Sequence, residues 1–160
     1  MNSEVQLREV TDADLPILFE HQRDPEAARL AAFPSRDREA FMAHWARILA
    51  DPKVTARTIL LGGQVGGNIV SFERDGKTLV GYWIGREHWG KGVASRALSL
   101  FLRQVKTRPL YAHVAKANPA SIRVLEKSGF RISAEDGAGA QQLIDGVEEV
   151  VLRLPGRGRV

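Results

Sequence analysis

Trp89-Gly90-Lys91-Gly92-Val93-Ala94 is the stretch on which the reading of this chain turns. It opens a helical stripe formed by Val93, Ala94, Ala97, Leu98, Phe101, Leu102 and Val105, spaced as one face of an α-helix. The run before it, Thr78 to Ile84, has the composition of a strand. Glycines at a strand-to-helix junction let the backbone turn sharply and approach a ligand with no side chain between. The first N–H groups of the helix have no intrahelical acceptor and carry its positive end, so the turn is suited to an anion.

Three phosphate-holding designs use such a turn. Gly85 to Lys91 satisfies the P-loop spacing G-x-x-x-x-G-K, but the next residue must be Ser or Thr and is Gly92. Its preceding strand is also the return arm of a hairpin. The dinucleotide fingerprint G-x-G-x-x-G accepts Gly90 and Gly92 but meets Ser95 at its third glycine. Where that design needs a ribose-binding acid, the chain has Tyr111 and Ala112. The third design is the pyrophosphate loop Q/R-x-x-G-x-G/A of the GNAT N-acetyltransferases, which this region resembles. Gly92 and Ala94 fill its two small positions, and Trp89 departs from Gln/Arg. The W-G-K-G form is similar to the branch of ribosomal-protein N-acetyltransferases. Two glycines that merely cap a turn are the plain alternative for this stretch alone.

A second motif removes that alternative. Asn118-Pro119-Ala120-Ser121 is followed by Val124-Leu125-Glu126-Lys127-Ser128-Gly129-Phe130. It resembles the other signature of the same family, N-x-x-S followed by v-l-e-k-x-G-F, at the expected distance downstream. Asn118 is a good helix cap, Pro119 suits the first turn, and Gly129 stands where a helix ends. The resemblance covers about Val5 to Leu154.

The rest of the chain reads outward from these motifs. Val5 to Val10 alternates as a strand, and Thr11 caps a helix from Asp12 to about Arg23. Pro25 opens a second helix, which Pro34-Ser35 stops, and Ser35 caps a third carrying Phe41, Trp45, Ile48 and Leu49. Thr55–Leu61, Val65–Glu73 and Thr78–Ile84 form a meander, with Asp75-Gly76 as a hairpin signal. Pro109–Val114 is the next strand. Phe130–Ala134 and Val147–Leu154 are the last two, with Gly137-Ala138-Gly139 in the loop between them. The pattern predicts an α+β (mixed α/β) sandwich around one mostly antiparallel sheet. The resemblance implies a GNAT-like single domain over 1–160, with about seven strands and two splayed parallel central strands. Residues 155–160 read as a frayed tail.

Composition narrows the chemistry. At 160 residues the chain can bury a sizeable core. It has no cysteine, which excludes disulfides, thiolate metal sites and a cysteine nucleophile. The net charge of +4 suits an anionic ligand. The basic residues are scattered, so nucleic acid is not an expected partner, and with no apolar run of membrane-spanning length in the sequence neither is a membrane. With no signal-peptide pattern after Met1, the expected location is the cytoplasm.

The resemblance implies acetyl-CoA as cosubstrate, no metal, and transfer of the acetyl group to a primary amine by direct attack through a tetrahedral intermediate. The expected acceptor is a small molecule or a peptide N-terminus, and the expected state a monomer or homodimer. The cofactor-binding set is Trp83, Ile84, Trp89, Gly90, Lys91, Gly92, Val93, Ala94, Ser95 and Asn118. Lys91 and Arg96 stand ahead of Lys116, Arg123 and Lys127 as cations for phosphate. The tyrosine that many members use as acid falls on Leu125, and the acid that the ribosomal-protein branch implies, the serine of N-x-x-S, falls on Ser121. The branch's carboxylate falls on Leu79, leaving Glu73 as the candidate base. Glu20, His21 and His113 are further candidates near the acceptor. Tyr82 and Trp83 read as core aromatics rather than acceptor ligands. The two missing groups also admit a non-catalytic acyl-CoA-binding sensor or regulatory module.

Overall fold

Asp75 and Gly76 both have positive φ, 54° and 77°, the conformation that matches the twist of an antiparallel hairpin. In the computed structural model, which describes residues 4–31, 36–133, 141–144 and 147–156, this turn joins β3 (Gln64–Arg74) to β4 (Lys77–Ile84). With β1 (Val5–Glu9) and β2 (Thr55–Leu61) they form an antiparallel block in the order β1-β2-β3-β4. β5 (Leu110–Ala115) lies parallel to β4, and β8 (Val147–Leu154) runs antiparallel to β5. The far edge of β8 pairs with both β6 (Arg131–Ile132) and β7 (Gln141–Ile144). The result is one mixed sheet, antiparallel except at β4–β5, as the pattern predicts.

Helices cover both faces. α4 (Val93–Gln104) and α5 (Pro119–Lys127) bury Ala97, Leu98, Phe101 and Leu125 against Ile69, Val80, Leu110, Ala112 and Leu152. Full burial of a side chain such as Phe101 or Leu98 contributes about 1.5–3 kcal/mol. α1 (Leu15–Arg23) and α3 (Arg38–Ala50) pack a second cluster, Leu18, Phe19, Phe41 and Trp45, on the opposite face. α2 (Pro25–Ala31) lies beside α1 and against β5. Alternation along β4 therefore sends Val80, Tyr82 and Ile84 toward α4 and α5, and Leu79, Gly81 and Trp83 toward α1 and α2.

Three local expectations differ from the structure. The first helix begins at Leu15, after a separate 3-10 turn over Asp12–Asp14, because Pro16 has no N–H to return to the Asp12 carbonyl. The third helix is capped by Asp37, whose carboxylate accepts from the Ala40 N–H at 2.8 Å. Ser35 lies outside the described residues. The C-terminal part holds three strands, since Gln141–Ile144 pairs with Val147–Val150. Ala134 and the Gly137–Gly139 loop also lie outside the described residues.

The 3-10 turn is tied to the sheet by one carboxylate. Asp14, 3% exposed, accepts from Arg8 on β1 at 2.7 and 2.9 Å, from the Thr11 N–H at 2.9 Å and from the Thr58 hydroxyl on β2 at 2.7 Å. Burial alone would raise its pKa. The hydrogen bonds from Arg8, Thr11 and Thr58 outweigh this and lower it to about 2. The carboxylate therefore adds stability that is present above its unfolded pKa of about 4 and is lost as pH falls toward 2. Asp14→Asn is expected to cost about 2 kcal/mol at neutral pH. In urea titrations the difference from wild type should shrink between pH 4 and pH 2. A constant difference across that range would show that this ionised network is not the source.

Candidate functional site

β4 and β5 are in register only where Leu79 faces Tyr111. The β5–β8 pairing, by contrast, continues from Leu110 opposite Leu154 to Ala115 opposite Glu149. Beyond Leu79 the two parallel strands diverge, and the β5-facing edge of Val80–Ile84 has no strand partner among the described residues. One end of that edge is closed by Trp89, whose indole N–H donates to the Ile84 carbonyl at 2.9 Å.

A cavity of about 640 Å³ fills the gap, within the range of small-molecule sites. Its β4 wall is Tyr82, Trp83 and Ile84. Trp89, Gly90, Gly92, Val93, Ala94 and Ser95 form the end at the mouth of α4. Asn118, Ala120, Ser121 and Val124 form the α5 wall, and Ala27 and Leu30 of α2 reach it from the other face of the sheet. All but one of the expected cofactor-binding residues thus meet around one space; Lys91 is outside the lining.

The turn is built as its glycines require. Gly90 and Gly92 have φ of 76° and 75°, a region costly for any residue with a Cβ. Nothing lies within 4 Å of a Cβ at Gly90, and at Gly92 only Arg96 Nε lies at that limit, so the loop presents an open cradle above the helix start. Arg96 folds back onto it, donating to Gly92 O at 3.2 Å and Lys91 O at 2.7 Å. Its guanidinium is therefore a strut for the loop. The cations that line the cavity are Arg123 and Lys127 of α5, which sequence reasoning ranked behind Lys91 and Arg96. A cradle of this shape, beside a helix N-terminus and an unpaired strand edge, fits an extended ligand with phosphate at one end and amides along its length.

The wall carries one pair of hydroxyls. Tyr82 Oη and Ser121 Oγ are 2.7 Å apart. Burial pushes the Tyr82 pKa up to about 12, against the opposing hydrogen bond with Ser121, so the phenol keeps its proton at neutral pH. Asn118 caps α5, its side-chain oxygen accepting from the Ser121 N–H at 3.3 Å. The sequence reading missed Tyr82 as a site residue. The signal was its parity with Val80 and Ile84, which directs all three toward α4 and α5.

The other candidates lie elsewhere. Glu73 is paired with Thr78 beside the hairpin turn, five residues along β4 from Trp83, or about 17 Å at strand spacing. His21 is buried and its ring lies on Gly85, where a Cβ would stand 2.8 Å from Nε2. Burial lowers its pKa, with Glu87 opposing and His88 adding, so the ring is held neutral. Its carbonyl accepts from the Trp83 indole at 3.1 Å. His21 and Glu20 line a separate depression of about 430 Å³ with Asp24, Arg86 and Glu87. There Glu20 pairs with Arg23 and Asp24 with Arg86, so the acids are largely offset. His113 is on β5, on the sheet face of Trp83. Among the described residues no group of three or more metal-ligating side chains is close enough to hold an ion. No helix among them is long and apolar enough to cross a membrane.

Known proteins share this fold. Residues 4–131 match the model of the acetyltransferase (GNAT) domain, and the chain belongs to that family, whose members take acetyl groups from acetyl-CoA. No curated protein sequence matches it significantly. Among solved structures it is similar to an acetyltransferase from Thermus thermophilus, with 22% identity over 97% of this chain and 99% of that one, and a TM-score of 0.75. It is also similar to a GNAT-family acetyltransferase from Bacillus anthracis, with 19% identity over 97% of each chain and a TM-score of 0.76. A third is the spermidine N-acetyltransferase of Vibrio cholerae in complex with CoA and spermine, with 18% identity over 96% of each chain and a TM-score of 0.76. At these identities the structures speak for the fold.

The cradle makes a direct prediction. Gly92→Glu puts a carboxylate and a side chain where an anion must approach. It should abolish the rise of several degrees in Tm that saturating CoA gives the wild type, whereas Gly92→Ala should keep part of it. A folded Gly92→Glu protein with the full CoA-induced rise would move the phosphate site elsewhere.

Proposed function

We propose that this protein transfers an acetyl group from acetyl-CoA to a primary amine, with Ser121 as the proton donor to the leaving thiolate. The observation that carries the reading is one continuous cavity with the α4 turn at its end and the Tyr82–Ser121 hydroxyl pair on its wall. The turn and the first N–H groups of α4, from Gly90 to Ser95, receive the pyrophosphate, with Arg123 and Lys127 beside it. The free edge at Trp83 and Ile84, together with Asn118, pairs with the pantetheine amides as a strand would.

The chemistry follows from the groups present. The amine nitrogen attacks the thioester carbon, forming C–N and expelling sulfur. An N–H of the free β4 edge stabilises the oxyanion that forms between these events. A thiol has a pKa near ~8.5, so its departure needs only a modest acid. Either hydroxyl of the pair can donate; with the buried, protonated Tyr82 donating to Ser121 Oγ, the serine's own proton is free for the sulfur. Leu125, 1% exposed in the core, supplies no such group. Glu73 stands at the hairpin end of β3, paired with Thr78, and has no part in this scheme. The W-G-K-G turn and Ser121 support a place near the ribosomal-protein branch, and hence a peptide N-terminus or a small amine as acceptor. The offset acids at Glu20 and Asp24 disfavour a polycation.

Free-thiol release from acetyl-CoA, measured over a panel of primary amines, tests the reading. Turnover with at least one is expected. CoA binding without turnover on any would make the protein a binding module instead. Ser121→Ala should lower kcat about 100-fold and leave acetyl-CoA affinity near wild type, and Tyr82→Phe should fall between them. An unchanged kcat in Ser121→Ala would remove the serine from the reaction.

A further inference from the structure

The reaction above lacks a group to take the amine's proton, and the face of the sheet opposite α4 and α5 carries one. Register places Gly81 level with His113, since each lies two residues beyond the Leu79–Tyr111 pair on parallel strands and on the same face. These two residues therefore border the point where β4 and β5 begin to part. Gly81 is the one glycine of β4, and nothing lies within 4 Å of a Cβ built there. There is thus room above Gly81 on this face, and Ala27 and Leu30 of α2 carry the cavity lining round to the same side, next to Trp83; Gly81 and His113 stand beside that lining and are not part of it.

His113 is anchored from behind. Its Nδ1 lies 3.3 Å from Glu149 Oε1 on β8, with side chains 15% and 19% exposed. Arg74 of β3 approaches the same nitrogen at 3.3 Å. Arg74 can only donate to this nitrogen and Glu149 can only accept from it, so the two call for opposite tautomers; with Nδ1–H donated to Glu149, the lone pair is on Nε2. Other charged side chains lie on the neighbouring elements. Lys77 of β4 sits over the Tyr111 ring at 4.8 Å, Arg153 of β8 stands opposite Tyr111, and Glu26 and Arg29 of α2 pair with each other.

Resting on the acetyltransferase reading, we infer that the acceptor amine enters over Gly81 and that His113, oriented by Glu149, is the base that deprotonates it. His113 Nε2 takes one proton from the alkylammonium, and the imidazolium so formed passes it to solvent. The freed amine attacks the thioester carbon, C–N forms and C–S breaks. The second nitrogen-bound proton passes to solvent, sulfur takes one from Ser121, and the serine regains one from solvent. The sum is an amide, CoA thiol and one released proton. Gly81 sets the size of the acceptor group beside the reacting nitrogen, because it is the position where any side chain would fill the approach.

The test uses acetyl-CoA with an alkyl diamine, a tetrapeptide with a free N-terminus and an aminoglycoside. For the amine the wild type turns over fastest, His113→Gln should lower kcat/KM about 100-fold or more and abolish the limb of the pH profile that rises with imidazole deprotonation. Added imidazole should restore part of the rate. Glu149→Gln should give a smaller loss. Gly81→Val, for which the space exists, should raise KM for the amine about tenfold or more with kcat changed far less. All three should keep the wild-type CoA-induced rise in Tm. Wild-type rate and pH profile in His113→Gln would overturn the assignment of the base, and an unchanged amine KM in Gly81→Val would overturn the entry route. CoA binding by the wild type without turnover on any amine would instead remove the acetyltransferase reading, and this inference with it.

Discussion

The separation of β4 from β5 after Leu79 is the constraint on which the rest of the molecule depends. A sheet normally pairs every interior edge, because an unpaired buried N–H or C=O costs about 1–3 kcal/mol. Here an interior edge is left open from Val80 to Ile84, and the surrounding elements make this tolerable. Trp89 covers the Ile84 carbonyl. α4 starts beyond the end of β4 with no side-chain cap, so its first N–H groups, at Val93, Ala94 and Ser95, are unsatisfied beside the same space. The opening is thus a polar-edged slot inside an otherwise apolar sandwich. An extended ligand with its own amides and a terminal anion would satisfy the edge and the α4 start together.

Holding the slot open requires rigid neighbours. On its β3 side a Cβ at Gly67 would lie 2.3 Å from the Trp83 carbonyl oxygen, so only glycine lets the strands approach this closely beside the site. At Gly85 the absent side chain is replaced by the His21 ring, and the Trp83 indole is fixed to the same helix through the His21 carbonyl. α1 is in turn preceded by the turn that Asp14 ties to Arg8 and Thr58. A chain of contacts therefore runs from β1 and β2 through α1 to β4, and sets where Trp83 stands at the gap. None of these residues needs to touch a ligand to influence its placement.

The parts legible in the sequence are those specified by short-range chemistry. Asp75-Gly76 fixes a hairpin, Gly92 and Asn118 fix two helix starts, and the stripe from Val93 to Val105 fixes the face α4 buries. Each is decided within a few residues, so periodicity and turn chemistry sufficed. The 3-10 break before Leu15 was legible in principle from Pro16, whose missing N–H was outweighed by the apparent strength of the Thr11 cap. Asp145-Gly146 repeats the hairpin signal of Asp75-Gly76, but the two glutamines before Leu143-Ile144 hide the strand that pairs with β8. What was not legible was the meeting of distant side chains. Tyr82 and Ser121 are 39 residues apart, and His113 and Glu149 are 36 apart. Neither pair leaves a local trace, and only the order β4-β5-β8 with α5 above it brings them together.

The two sides of the slot are therefore specified differently. The α4 and α5 side is made chiefly of backbone: glycines at positive φ, helix N–H groups and a free strand edge. Such a surface recognises phosphate and amide groups whatever the neighbouring side chains, which is why a motif of six residues could announce it. The α1 and α2 side is made of side chains: Trp83, Ala27, Leu30, and the space left by Gly81. Its nearby acids are matched by arginines, at Glu20 with Arg23 and Asp24 with Arg86. These pairs are exposed and individually weak, but they leave little net field to draw in a strongly charged partner. Selection on this side then falls to shape at Trp83 and Gly81 and to a single proton-accepting group. A surface of that kind changes with a few substitutions and carries no fixed spacing, so the identity of the acceptor is written in the packed structure and not in a motif.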